Sequence, residues 1–142
     1  MNVGFYVDHL SNDDQLLNMF ESIHKALLNK TISDAALFFD DASPCKYVPP
    51  CGVFNSCDLW SFHGKLLASS LNSWNKAKAI VNNIDMYYYY EIGKINTLSL
   101  ISLDDTKVIC NGVDAQGNFT RITNTKPKGM SNNYEDIVEV ML

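Results

Sequence analysis

The stretch from Lys65 to Glu91, KLLASSLNSWNKAKAIVNNIDMYYYYE, decides the fold. It opens on the apolar run Leu66, Leu67 and Ala68 and turns through Ser69 and Ser70. A segment follows with Trp74, Ala77 and Ile80 to Val81 at helical spacing, and then the apolar run from Met86 to Tyr90. The spacing predicts a strand over 65–69, a helix over 71–82 and a strand over 85–90. A strand, a crossover helix and a second strand form the unit of a parallel sheet. Within the second strand, alternation sends Tyr87 and Tyr89 to one face and Tyr88 and Tyr90 to the other. With helices covering both faces, all four hydroxyls need partners.

Upstream, Val3, Phe5 and Val7 read as a buried strand that starts almost at the first residue. Leu16, Leu17, Phe20, Ile23, Ala26 and Leu27 then recur at helical spacing, predicting an amphipathic helix from Asp13 to about Asn29 with Ser11 or Asn12 as its cap. Residues 33–39 form a second apolar strand ending at Asp40 and Asp41. The Pro-rich segment 42–51 is a loop, 52–54 a short strand or an extended link, and 55–64 holds one turn around Asp58, Leu59 and Trp60.

Downstream, Ile95, Leu98 and Ile101 fit a short helix, Asp104 and Asp105 a turn, and 107–110 a strand. Residues 111–129 read either as a short helix or as a hairpin turning at Ala115 to Asn118. Asn132 or Asn133 caps a final helix over 134–142. The order predicts one Rossmann-like domain over 1–142, a three-layer α/β/α sandwich with a mostly parallel sheet of about five strands and right-handed crossovers.

A chain of 142 residues is long enough to bury roughly two thirds of its unfolded surface. With 46% hydrophobic and 19% charged residues it is too apolar for a disordered segment. The net charge of −5 and the absence of a basic run argue against a broad nucleic-acid surface, although Lys76, Lys78, Arg121, Lys126 and Lys128 are available for a local basic patch. The first residues lack the form of a signal peptide, and no apolar run reaches the ~18 residues of a membrane span. The expectation is a cytoplasmic protein with no membrane association and four reduced cysteines.

In an open parallel sheet, ligands bind beyond the carboxyl ends of the strands. Those ends carry Asp8 and His9, Asp40 and Asp41, Ser69 and Ser70, Glu91, and Asn111. They mark a location for a ligand rather than a known chemistry, and no catalytic residue is assigned. A dinucleotide site is disfavoured, because the first strand is followed by Asp8, Asp13 and Asp14 where phosphate needs glycines and a free helix start. The Ser69–Ser73 turn suits an anion better, yet Ser70 or Asn72 is more simply an N-cap. Asp40 and Asp41 suit a divalent cation or plain turn chemistry. Cys45, Cys51, Cys57 and His63 are evenly spaced but lack the tight knuckle, with ligands about two to four residues apart, of structural zinc sites. No metal site and no cofactor are expected.

The segments VGFYVDHL (3–10), SDAALFFDD (33–41), DLWSFHGKLLASSLNSWNKA (58–77), DMYYYYE (85–91), KVICNG (107–112) and NNYEDIVEVML (132–142) carry a resemblance. In order and texture they resemble the N-terminal, Rossmann-like half of GT-B glycosyltransferases, a look shared by small phage and marine microbial proteins. In that family the nucleotide-sugar is held mainly by the other half, so no donor-binding or catalytic residue transfers to a position here. The resemblance implies a stand-alone acceptor-type half without transferase activity of its own. Two readings follow. The first is a non-catalytic binding or interaction module, with Trp60, Phe62 and some tyrosines exposed at an interface, in a homodimer or with a nucleotide or sugar as ligand. The alternative is a glycosyltransferase-like or nucleotide-handling enzyme in which Asp8, His9, Asp40 and Glu91 converge around a cleft.

Overall fold

A computed structural model describes residues 2–80, 83–103 and 105–142. Among the described residues seven strands follow one another as β1 (Asn2–Leu10), β2 (Asp34–Ala42), β3 (Gly52–Asn55), β4 (Gly64–Ala68), β5 (Ile84–Tyr90), β6 (Lys107–Cys110) and β7 (Gly129–Met130). The helices are α1 (Asp14–Leu28), α2 (Leu71–Lys78), α3 (Thr97–Ile101), α4 (Gly112–Thr123) and α5 (Ile137–Met141), with 3-10 turns at Ser56–Ser61 and Asn132–Tyr134. The sheet order is β3-β2-β1-β4-β5-β6-β7, and every pairing is parallel. From β1 the chain steps outward to β2 and β3, then returns to the other side of β1 and runs outward again. The right-handed rule then puts the two sets of crossovers on opposite faces.

The side chains follow this division. Val3 and Phe5 of β1, Leu67 of β4 and Tyr87 and Tyr89 of β5 pack with Leu16, Phe20 and Ile23 of α1 and with Ile137, Val138 and Met141 of α5. On the opposite face Ala68, Tyr88, Tyr90 and Val108 pack against Leu100, Ala115 and Phe119, while Tyr6, Phe38 and Leu66 meet Leu59, Phe62 and Ala77. Gly4 allows the second arrangement, because a Cβ there would lie 2.8 Å from the Phe62 ring.

The α/β class and the Rossmann-like parallel sheet hold, with seven strands in place of about five. The two extra strands are edges: β3 is four residues beside Phe38, and β7 is two residues beside β6. Elements this short carry no readable period and are fixed by the neighbour they pair with. The segment from 111 to 129 holds a helix rather than a hairpin. Gly112 and Gly117 weaken its propensity, but Ala115 and Phe119 stand four residues apart and are both buried. The first helix is capped by Asp13, whose carboxylate accepts from the amides of Gln15 and Leu16. In α3 the buried residue is Leu100, with Leu103 just beyond it, whereas Leu98 and Ile101 face solvent. The second helix ends at Lys78; the expected extension to Val81 and Asn82, like the turn at Asp104, falls outside the described residues. The last helix begins only at Ile137, after Asn133 and Tyr134, both at positive φ, end the preceding 3-10 turn.

All four tyrosines of β5 are buried, alternating as the strand requires. Tyr87 donates to the carbonyl of Met141 at 3.1 Å. Tyr89 donates to the carbonyl of Ser131 and accepts from the amide of Tyr134. Tyr90 accepts from the Asn118 side chain. Among the described residues the Tyr88 hydroxyl has no partner, and burial, with Glu91 next, pushes its pKa up to about 12. A buried polar group left unpaired costs about 1–3 kcal/mol, whereas removing such a group is close to neutral or favourable. Tyr88→Phe is therefore expected to keep or raise the urea midpoint. Tyr89→Phe, which strands both Ser131 and Tyr134, is expected to lose about 1–3 kcal/mol. Equal losses in the two variants would contradict this assignment of partners.

Candidate functional site

Because the chain leaves β1 toward β2 on one side and returns at β4 on the other, the connections diverge at the carboxyl ends of β1 and β4. That is the position at which open α/β sheets have a crevice. Here it is a cleft of about 400 Å³, a size within the range of small-molecule sites. Asp8 and His9 at the end of β1, Ser69 and Ser70 after β4, and Glu91 after β5 line it. Asp13 and Gln15 at the start of α1, Lys94, and Tyr134 close it.

The cleft is rich in acceptors. Asp8 accepts from Asn72 at 3.3 Å through Oδ1, and Asp13 spends Oδ1 on its capping bonds. Glu91 takes Gln15 at 3.4 Å and Asn111 at 3.3 Å, both on Oε1. Each of these three carboxylates thus keeps a second oxygen without a partner among the described residues. The helix starts are already occupied. Asp13 caps α1, and at α2 Ser70 and Ser73 satisfy each other's amides in a reciprocal box. Ser69 donates to the carbonyl of Tyr6. An anion would meet three carboxylates beside two capped helix starts, with Lys94 the opposing lysine.

Tyr134 is, with Asp13, Gln15 and Lys94, one of the lining residues that reading the sequence missed. Its ring stacks on Tyr89 with centroids 4.0 Å apart, and it is only 6% exposed. Its amide is donated to Tyr89, but its own hydroxyl has no hydrogen-bond partner among the described residues. Burial holds its pKa well above the ordinary tyrosine value, with Glu91 and then Tyr89 and Asp13 adding to the shift. Tyr134 shares the lining of the cleft with both carboxylates. The signal in the sequence was slight. An Asn-Asn pair before a tyrosine tolerates left-handed backbone, and Asn133 (φ 48°) and Tyr134 (φ 67°) adopt it.

Of the strand-end residues, Asp8, His9, Ser69, Ser70 and Glu91 meet at the cleft, and Asn111 reaches it through Glu91. Asp40 does not. It sits on the other face, accepting from Tyr6 at 2.7 Å and pairing with Lys76 at 3.0 Å. Burial opposes its ionisation, but bonds from Ser56, Tyr6 and Lys76 outweigh that and hold its pKa below the usual value. The expected convergence of Asp8, His9, Asp40 and Glu91 is thus met by three of the four. Asp41 and Asp40 point to different partners. Asp41 lies 3.3 Å from Nδ1 of His9, whose Nε2 lies 2.7 Å from Oγ of Ser43.

The order Ser43, His9, Asp41 is that of a nucleophile triad, but its surroundings are not. Ser43 donates its own amide to Leu10, and the next residue, Pro44, has no N–H. Asp41 is 80% exposed. Neither of these two positions therefore offers an amide to an oxyanion on Ser43. The chain of bonds ties the ends of β1 and β2 together, where His9 and Asp41 are in register.

The evenly spaced cysteines are separated. Cys45 and Cys51 pack against the α1 face, Cys57 is exposed on the first 3-10 turn, and His63 lies beyond it. Among the described residues no group of three or more His, Cys, Asp or Glu is placed to hold a metal ion. Of the exposed aromatic surface expected, Trp60 is 68% exposed, but Phe62 and the tyrosine run are core. Lys76 and Lys78 do not join a basic patch, since Lys76 pairs with Asp40 and Lys78 lies over the Trp74 ring. A larger groove of about 530 Å³ lies between α3 and α4, floored by Leu100, Phe119 and Ile122 and lined also by Lys107, Lys126 and Lys128. No helix among the described residues is long and apolar enough to cross a membrane. Comparison with family models, with curated proteins and with solved structures finds no match to this chain.

The thiols supply a check on this geometry. Burial pushes Cys110 up to about 12, and burial with Asp34 pushes Cys51 up to about 11. Thiolate, not thiol, reacts with disulfide reagents. In a timed labelling experiment at neutral pH, Cys57 is expected to react first and Cys110 only after denaturant is added. Early labelling of Cys110 would contradict its placement.

Proposed function

We propose that the chain is a non-catalytic binding domain that holds a small molecule in the cleft between the carboxyl ends of β1 and β4. The observation that carries this reading is Tyr134, a side chain only 6% exposed whose hydroxyl has no partner among the described residues, lining the cleft with three carboxylates that each keep one oxygen without a partner among those residues. A largely buried hydroxyl that no protein atom pairs is a ready partner for a ligand's complementary atom. The stacking on Tyr89 fixes the ring before any ligand arrives, so little ordering is required on binding.

The alternative is a glycosyltransferase-like or nucleotide-handling enzyme at the same cleft, and the meeting of Asp8, His9 and Glu91 there favours it. It differs in predicting turnover, read as release of nucleotide from a nucleotide-sugar.

The test is an amide-resolved NMR titration with nucleotides, nucleotide-sugars, simple sugars and small amines. A saturating ligand is expected to shift the amides of Gln15, Ser70, Glu91 and Lys94 and to raise Tm by several degrees. Tyr134→Phe should leave the free protein's Tm unchanged, since the hydroxyl it removes makes no bond, and weaken that ligand about tenfold. Shifts confined to the groove between α3 and α4, or Tyr134→Phe binding like the parent chain, would overturn the assignment.

A further inference from the structure

We infer that the ligand of the switch-point cleft is a small organic ammonium ion, an inference that rests on the reading of this cleft as a binding site. The lining charges decide between ligand classes. Asp8, Asp13 and Glu91 face Lys94, while His9 is held between Asp41 and Ser43. The Nδ1 of His9 faces the Asp41 carboxylate and its Nε2 faces Ser43, so both ring nitrogens are engaged with partners of their own. Apart from the His9–Asp41 pair, the cleft holds three carboxylates against one lysine.

A phosphate or carboxylate ligand meets repulsion there, and both neighbouring helix starts are already capped. A neutral polyol can donate to the open oxygens, but it covers the carboxylates without compensating their charge, and such burial is costly. An ammonium group supplies several N–H donors at one point together with the opposing charge, giving the stronger charge-assisted bonds. The Tyr134 hydroxyl completes the set, because its oxygen accepts an N–H where the carboxylates do. This side chain, more than nine-tenths buried, lining the cleft and without a hydroxyl partner among the described residues, separates the cleft from an ordinary cluster of surface acids.

The test compares two probes of equal length and shape, 1,4-diaminobutane and 1,4-butanediol, titrated into the whole chain with amide-resolved NMR. The diamine is expected to shift the amides of Gln15, Glu91 and Lys94 to saturation, and the diol to leave them in place at the same concentration. Raising NaCl from about 20 mM to about 300 mM, which shortens the screening length severalfold, should weaken the diamine at least about threefold. Glu91→Gln, which keeps an acceptor for Gln15 and Asn111, should weaken it about tenfold. Failure of the diamine to shift the cleft amides, or shifts scattered over the acidic surface and unchanged in Glu91→Gln, would overturn the inference. Salt-insensitive binding of the diol or of a simple sugar to the same amides would also overturn it and leave the cleft as the binding site. Silence at the cleft from amines, sugars and nucleotides alike would remove the underlying reading as well.

Discussion

The hydroxyl of Tyr89 joins the last twelve residues to the sheet. It donates to the carbonyl of Ser131 and accepts from the amide of Tyr134, while the two rings stack. These contacts are buried, so each is costly to lose. They hold the chain through two successive left-handed residues, Asn133 and Tyr134, that would not persist alone. Beyond them, α5 lays Ile137, Val138 and Met141 on the sheet beside α1, and the Met141 carbonyl accepts from Tyr87 and from Lys65. The same anchoring sets Tyr134 against the cleft. One side chain on β5 therefore fixes both the covering of a core face and one wall of the candidate site.

The tyrosine run serves two faces of one strand. Tyr87 and Tyr89 hold the C-terminal segment, and Tyr90 is held by Asn118 of α4. Tyr88 fills space beside Ala68, its register partner on β4, without a bond. A strand buried on both faces usually carries aliphatic residues. Here the larger rings are accommodated because the neighbouring strand offers Ala68 on one face and because polar atoms of the segments packed above receive three of the four hydroxyls.

Much of this was legible in the sequence. The strand–helix–strand unit around Ser70, the alternation of the tyrosines and the gathering of ligand-competent residues at strand ends follow from periodicity and from one rule of open sheets. What was hidden depends on register and long-range pairing. Opposition of His9 and Asp41 needs the alignment of β1 with β2, and the separation of Asp40 from Asp41 needs the face each occupies. The edge strands β3 and β7 exist by virtue of their neighbours. Tyr134 read as the first residue of a helix, because nothing local reveals that Tyr89, forty-five positions earlier, captures its amide.

The account turns on the C-terminal segment being locked to the sheet so that Tyr134 is a fixed wall of the cleft. Native-state hydrogen exchange at the Tyr134 amide measures this directly. Its only acceptor is a buried hydroxyl, so it should exchange as slowly as the central amides of β5, through global unfolding. Exchange as fast as that of an exposed loop amide, with β5 still protected, would show the segment opening independently of the sheet and would contradict the account.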